Sequence, residues 1–186
     1  MDAQRLREEL QQGTSADLQR RRGIIGLSLF GMASMAAVTL LQTGMISHLP
    51  DPPVDDFDSD RVNSSETAYK LGVPDGALSL AALAANIPIA SFGGEERVDK
   101  VPLVPLAAAA KAGVEAAVAG WYFYQMPAKQ KAWCGYCIAG MSATLGVFLL
   151  TLPEAVKAWR KLRDPGKRGF PGFGGRTGRS AGSLNA

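Results

Sequence analysis

The chain has 186 residues, a formal net charge of +3 and a hydrophobic fraction of 47%, enough for one domain of ordinary size. Its single histidine, His48, excludes a histidine-rich metal site, and its two cysteines, Cys134 and Cys137, exclude a four-cysteine zinc site while allowing one disulfide. The averages look soluble, but they mix apolar blocks with polar ends. The positive charge is segregated along the chain rather than spread as on a nucleic-acid-binding surface.

Residues 1–22 form a polar leader, in which Leu6 and Leu10 stand at helical spacing and suit a short amphipathic helix over Met1–Gln12. Arg20, Arg21 and Arg22 then abut an uncharged apolar run from Gly23 to about Ile46. As a helix, such a run of about 24 residues rises about 36 Å, enough to cross a bilayer core. The rival reading is a secretory signal peptide, but a signal core is only ~7–15 residues long. His48–Gly76 is a polar loop with Pro50, Pro52 and Pro53, followed by Asp55, Asp56, Asp58 and Asp60. The acidic run lacks the glycine turn and closing glutamate of a calcium-binding EF-hand, so it reads as a solvated loop. Ser64–Leu71 suits a short helix at the membrane surface.

A second apolar run, Ala77–Phe92, reaches spanning length when begun at Val73. Gly93–Lys100 is a short charged loop. The third run, 101–124, is interrupted by Lys111 and Glu115, and a turn over Met126–Ala132 carries Lys129 and Lys131. The fourth run is 133–152. Residues 156–186 form a basic tail, Gly/Ser/Arg-rich from Gly166 and expected to be disordered. The expected architecture is an all-α bundle of four membrane helices over residues 23–155, with spans at about 23–46, 73–92, 101–124 and 133–152.

Four spans put both termini on one side. Fifteen Arg and Lys residues lie in the leader, the loop with Arg97 and Lys100, and the tail. Four lie on the other side: Arg61, Lys70, Lys129 and Lys131. That bias places the termini in the cytoplasm and the aspartate-rich loop outside. Trp121, Tyr122, Tyr124 and Trp133 gather around the outer turn as an aromatic belt would. The basic tail fits contact with anionic lipid headgroups, and nucleic acid is not an expected partner.

Trp133-Cys134-Gly135-Tyr136-Cys137 places a C-x-x-C at a helix start. A helix N-terminus offers free N–H groups and a positive dipole end, which stabilise a thiolate. Lys129 and Lys131 just upstream add positive potential. The expected compartment is one in which disulfides persist. The alternative is an inert structural pair within the bundle.

The stretch from Trp133 to Gly140 resembles the vitamin K epoxide reductase family, in which four helices surround a quinone and a C-x-x-C opens the fourth on the outer side. Ser59 to Pro74 is similar to that family's loop stretch Cys-x-x-Val-x-Ser-Ser-x-x-Ala-x-x-x-Gly-x-Pro, leading into helix two. The two motifs stand in the correct order, and the similarity spans roughly residues 23–155. The resemblance implies that Cys137, deeper in the helix, faces the quinone, that Cys134 exchanges with a partner thiol, and that Ser65 lies near the quinone. Asp75 stands where some members have a quinone-binding asparagine, and Met141 where some have a tyrosine. Two loop cysteines that relay electrons in the family are missing: Ser59 occupies one position, and the Pro52–Asp56 region covers the other. Cys134 is therefore expected to meet an external thiol directly.

Lys111 and Glu115 stand four residues apart on one face of the third span. Charges there face a bundle interior or a partner. They are read either as donors to a quinone carbonyl or as a mutually neutralised structural pair. The leading functional expectation is a membrane thiol–disulfide oxidoreductase linking an external dithiol or thioredoxin-like protein to a ubiquinone- or menaquinone-type quinone, with no metal. The competing expectation is a non-catalytic membrane subunit that keeps the fold and a structural disulfide and binds a partner subunit.

Overall fold

A computed structural model describes residues 2–163, and helices dominate them. The chain order is α1 (Ala3–Gln12), α2 (Ala16–Gln42), α3 (Ser59–Asn63), a 3₁₀ turn (Glu66–Tyr69), α4 (Asp75–Ser91), α5 (Arg97–Lys100), α6 (Leu103–Gln125), a π turn (Met126–Gln130) and α7 (Gly135–Arg163). Helix α2 starts upstream of the apolar run because Ser15 caps it. Ser15 Oγ accepts from Leu18 N at 3.4 Å, and Asp17 sits in the first turn, where the helix dipole favours an acid. The arginine cluster is therefore helical.

Helices α2 and α7, and α6 with its π turn, are long and apolar enough to cross a membrane. Helix α4 is apolar but has 17 residues, a rise of about 26 Å. It starts at Asp75 rather than Val73, because Pro74 stands at its N-cap and the chain before it turns through Gly72 at φ +74°. Large apolar side chains such as Phe30, Val114, Trp121 and Leu149 face outward, as lipid-facing positions require.

Helix α2 packs along α4 and α7, and α7 packs along α6, whereas α4 and α6 barely touch. The close α2–α7 approach depends on a missing side chain: a methyl at Gly140 would lie 2.7 Å from Met35 Cε. The sparse contact between α4 and α6 leaves room for a cavity.

One end of the bundle is closed by buried charge. Glu154 on α7 receives Arg21 from α2 and Arg97 from α5, all three nearly inaccessible. Arg21 Nη1 also donates to Gly93 O and Gly94 O at 3.2 and 3.1 Å, and Arg97 Nη1 to Ile89 O at 2.7 Å. Arg21 and Arg97, read from sequence as topology-setting charges, are thus also the cement of this end. Helix α7 continues past the apolar limit at Leu152 to Arg163 to carry Glu154. Residues 156–163 are therefore helical, while the tail expected over 164–186 lies outside the described residues.

Candidate functional site

The two cysteines lie at the opposite end of the bundle from Glu154, where the chain leaves the π turn and enters α7. Lys131, at φ +50°, reverses the direction. Trp133 N then donates to Asp56 O at 2.8 Å, and Asp58 N to Trp133 O at 3.0 Å. These two bonds lay the Asp51–Asp58 loop across the start of α7, and Tyr136 Oη adds a third by donating to Pro50 O at 3.1 Å. His48 and Leu49 anchor the loop's near end. His48 Nδ1 meets Asp60 Oδ2 at 2.5 Å, and Leu49 N donates to Asp60 Oδ1 at 2.9 Å.

Cys134 stands at the N-cap of α7, its sulfur accepting from Cys137 N at 3.1 Å and Asn63 Nδ2 at 3.2 Å. Both cysteines are free thiols. Cys134 lies just before the helix, and its pKa is lowered to about 6 in all, with the neighbouring Cys137 side chain the largest cause. Ser59, Asn63 and the Cys137 amide add to that effect, and together they outweigh the burial that would raise it. Lys129 and Lys131 are exposed, and hydrogen bonds rather than their charge set this thiol.

The expectation that Cys134 meets an external thiol directly needs correction. Its accessibility is 0%, with Val62, Met126 and Ala132 packed in the same cluster and the acidic loop bonded to its neighbour Trp133, so exchange with an external thiol requires this cover to open. Cys137 faces the other way, into a cavity of about 300 Å³ enclosed by α2, α4, α6 and α7 and roofed by the Val62–Leu71 segment.

Five of the residues singled out from the sequence line this one cavity: Cys137, Ser65, Asp75, Glu115 and Met141. Lys111 does not line it. Its three ammonium protons are taken by Ala82 O at 2.8 Å, Asn86 Oδ1 at 2.7 Å and Glu115 Oε1 at 2.5 Å, which leaves none for a ligand. Asp75 is held from the side by Gln42, whose Nε2 donates to Asp75 Oδ1 at 2.6 Å while its Oε1 accepts from Gly76 N at 3.0 Å. Met141 offers only apolar surface.

Three cavity residues carry a buried oxygen with no partner among the described residues: Glu115 Oε2, Gln125 Oε1 and Gln130 Oε1. Such atoms cost about 1–3 kcal/mol each when left unpaired, so a ligand with polar edges gains by meeting them. The walls are otherwise dominated by apolar side chains such as Leu83, Val118 and Met126. These three oxygens are acceptors, so a flat apolar body bearing hydroxyl groups, as a hydroquinone does, fits them.

Sequence reading missed Asn63, Gln125, Gln130 and Gln42. The available signal was uncharged amides beside apolar runs, a pattern that many exposed turns share. A comparison with protein families matches residues 23–152 to the vitamin K epoxide reductase family. No curated protein matches, and no solved structure does.

Proposed function

The chain belongs to the vitamin K epoxide reductase family, and from that premise we propose that this integral membrane protein is a quinone-linked thiol–disulfide oxidoreductase working through Cys134 and Cys137. One observation carries the reading: Cys137 lines the cavity while Cys134, one helical turn earlier, lies outside it under the loop. A pair so arranged offers one sulfur to the cavity and holds the other next to it, outside the cavity lining, with Asn63 touching both.

In the oxidative half-reaction the two thiols lose two protons and two electrons as one S–S bond forms, and the quinone accepts both to become the hydroquinone. In the other half, an external dithiol of a thioredoxin-like partner reduces the disulfide by exchange at Cys134, with the acidic loop lifted. Ser65, Gln125 and Gln130 carry the hydroxyl and amide N–H groups suited to donate to the quinone's oxygens, and the free oxygen of Glu115 is suited to accept from a hydroquinone hydroxyl, with Asp75 beside them and Met141 against the ring. Lys111 acts through Glu115, fixing one carboxylate oxygen so that the other faces the cavity. The quinone is of ubiquinone or menaquinone type.

The same reading takes α4 as a fourth span, made long enough by Val73 and Phe92 at its ends. It puts both termini in the cytoplasm, which the basic bias of the leader, the Arg97 loop and the tail supports. The C-x-x-C then faces the extracytoplasmic side.

The test is to purify the protein in detergent, reduce it, and mix it with a ubiquinone or menaquinone analogue. The expected result is hydroquinone and disulfide in equal amounts, lost in Cys137→Ser. Glu115→Gln should slow the reaction, and Lys111→Met should slow it less.

A second reading, a non-catalytic subunit with a structural disulfide, draws on the absent loop cysteines and the covered Cys134. Folded protein with free thiols that reduces neither quinone would favour it, as would a disulfide resistant to mild dithiol treatment.

A further inference from the structure

We infer that Asn63 is a positioning residue that makes the two thiols unequal, donating to the Cys134 sulfur and accepting from the Cys137 thiol. The inference rests on reading the pair as redox-active.

Asn63 sits at the end of α3 and is 3% exposed. Its Nδ2 donates to Ser59 O at 2.7 Å and to Cys134 Sγ at 3.2 Å, and its Oδ1 accepts from Cys137 Sγ at 3.4 Å. The amide orientation follows from the first of these bonds. Ser59 O is a carbonyl oxygen and can only accept, so the atom 2.7 Å from it must be the nitrogen. Turning the amide over would set oxygen against oxygen at Ser59. Backbone geometry therefore dictates which face of Asn63 each sulfur meets.

The chemistry follows from that orientation. An N–H donor favours negative charge on Cys134, whereas a carbonyl oxygen favours a proton on Cys137. Ser59 also touches this sulfur, but its single hydroxyl proton goes to Asp51 Oδ1 at 2.6 Å. Asn63 therefore gives Cys134 an N–H that Ser59 does not, beside the influence of Cys137. Its own backbone carbonyl accepts from Gln42 Nε2 at 3.3 Å, the same nitrogen that holds Asp75, which ties the amide's placement to the cavity wall.

Once the S–S bond forms, Cys137 has no proton to give and Cys134 no charge to receive. Both Asn63 contacts with sulfur weaken, so Asn63 stabilises the reduced pair over the oxidised one and makes the disulfide a stronger oxidant. Asn63 itself gains and loses nothing in the reaction. The two thiols still supply the two protons and two electrons.

The test uses Asn63→Asp, which is isosteric but replaces the donor with oxygen, and Asn63→Leu, which removes both groups. Ultraviolet thiolate absorbance is titrated in the reduced, detergent-purified protein, with Cys134→Ser to assign it. The native midpoint is expected near 6, and both variants are expected to bind the Cys134 proton about tenfold more tightly or more. Equilibration with glutathione should show the disulfide about tenfold harder to reduce, about 30 mV. If Asn63→Asp does not fold, Asn63→Leu carries the same expectation. An unchanged titration midpoint and glutathione equilibrium in a folded variant would overturn the inference. Neither readout contains a quinone. Failure here therefore leaves the quinone reaction standing, and an inert quinone beside a shifted titration leaves Asn63 standing.

Discussion

Glu154 and Arg21, 133 positions apart in the chain, meet through two bonds: Arg21 Nη2 lies 2.5 Å from Glu154 Oε1, and Arg21 Nε 3.2 Å from Oε2. Arg97 holds the same carboxylate from its other side, at 2.9 and 2.5 Å. Three helices are thus tied at one end through a single acid. Removing one partner of a buried pair strands the other, at about 3–5 kcal/mol. Glu154→Gln, which strands two guanidinium groups, is expected to lower thermal stability more than Arg21→Met. Differential scanning in detergent reads this, and equal losses would mean that the two arginines are not both dependent on Glu154.

The cover over Cys134 is held by few bonds, so its opening should be easy to tune. Tyr136→Phe removes the bond to Pro50 O and leaves the ring. At about 0.5–1.5 kcal/mol for one hydrogen bond, the open state should become roughly two- to tenfold more populated. Maleimide labelling of Cys134 is expected to quicken by that factor, with labelling of Cys137 from the cavity side little changed. No acceleration would mean that the reagent reaches Cys134 by another route.

Gln125 and Gln130 should separate stability from ligand affinity. Each buries an unpaired oxygen in the cavity. Leucine at either position removes that cost, so Gln125→Leu and Gln130→Leu are expected to melt at the native temperature or above it. The same variants lose the amide whose N–H can donate to a quinone oxygen and whose oxygen can accept from a hydroquinone hydroxyl, and KM for the quinone analogue should rise roughly tenfold, the effect of about 1.4 kcal/mol. A variant that melts lower with KM unchanged would place the glutamine in the scaffold instead.

The near end of the acidic loop should loosen with rising pH. Hydrogen bonding and charge from Asp60 raise the His48 pKa above its ordinary value. Burial opposes the ionisation of Asp60, but His48 and the Leu49 amide outweigh it and lower its pKa. A raised histidine pKa contributes stability fully below the unfolded value, and that contribution fades as pH rises through the folded one. The Asp60 contribution is present at neutral pH and fades only in acid. Hydrogen exchange at the Leu49 amide, corrected for intrinsic rate, is expected to lose protection between mildly acidic and mildly alkaline pH. His48→Ala should flatten that dependence, and an unchanged slope in the variant would assign it to another group.

Much of the site was legible in the sequence because its chemistry is local. A C-x-x-C at a helix start places one sulfur at the N-cap and the other a turn deeper wherever the helix goes. The Ser59 to Pro74 stretch set Ser65 near the entry to α4, the family resemblance pointed to Asp75 just beyond it, and both line the cavity with Cys137. Helix spacing put Lys111 beside Glu115. The three long apolar runs that became α2, α6 and α7 could be read from hydropathy, since a bilayer requires about 20 apolar residues however the helices pack.

What only the tertiary structure decided depends on contacts between distant segments. Sequence assigned Arg21 and Arg97 only a topology-setting role, because charge patterning carries no information about a lone glutamate more than fifty positions away. It left Cys134 open to a partner, because two backbone bonds between Asp56, Asp58 and Trp133 leave no trace in side-chain identity. Nor could it separate Lys111 from Glu115, since which of the pair faces the cavity depends on where Ala82 and Asn86 of α4 fall. Local spacing placed the cysteine pair, whereas the partners of each polar group were set by packing, where a buried donor or acceptor must find its complement in whatever segment the fold brings against it.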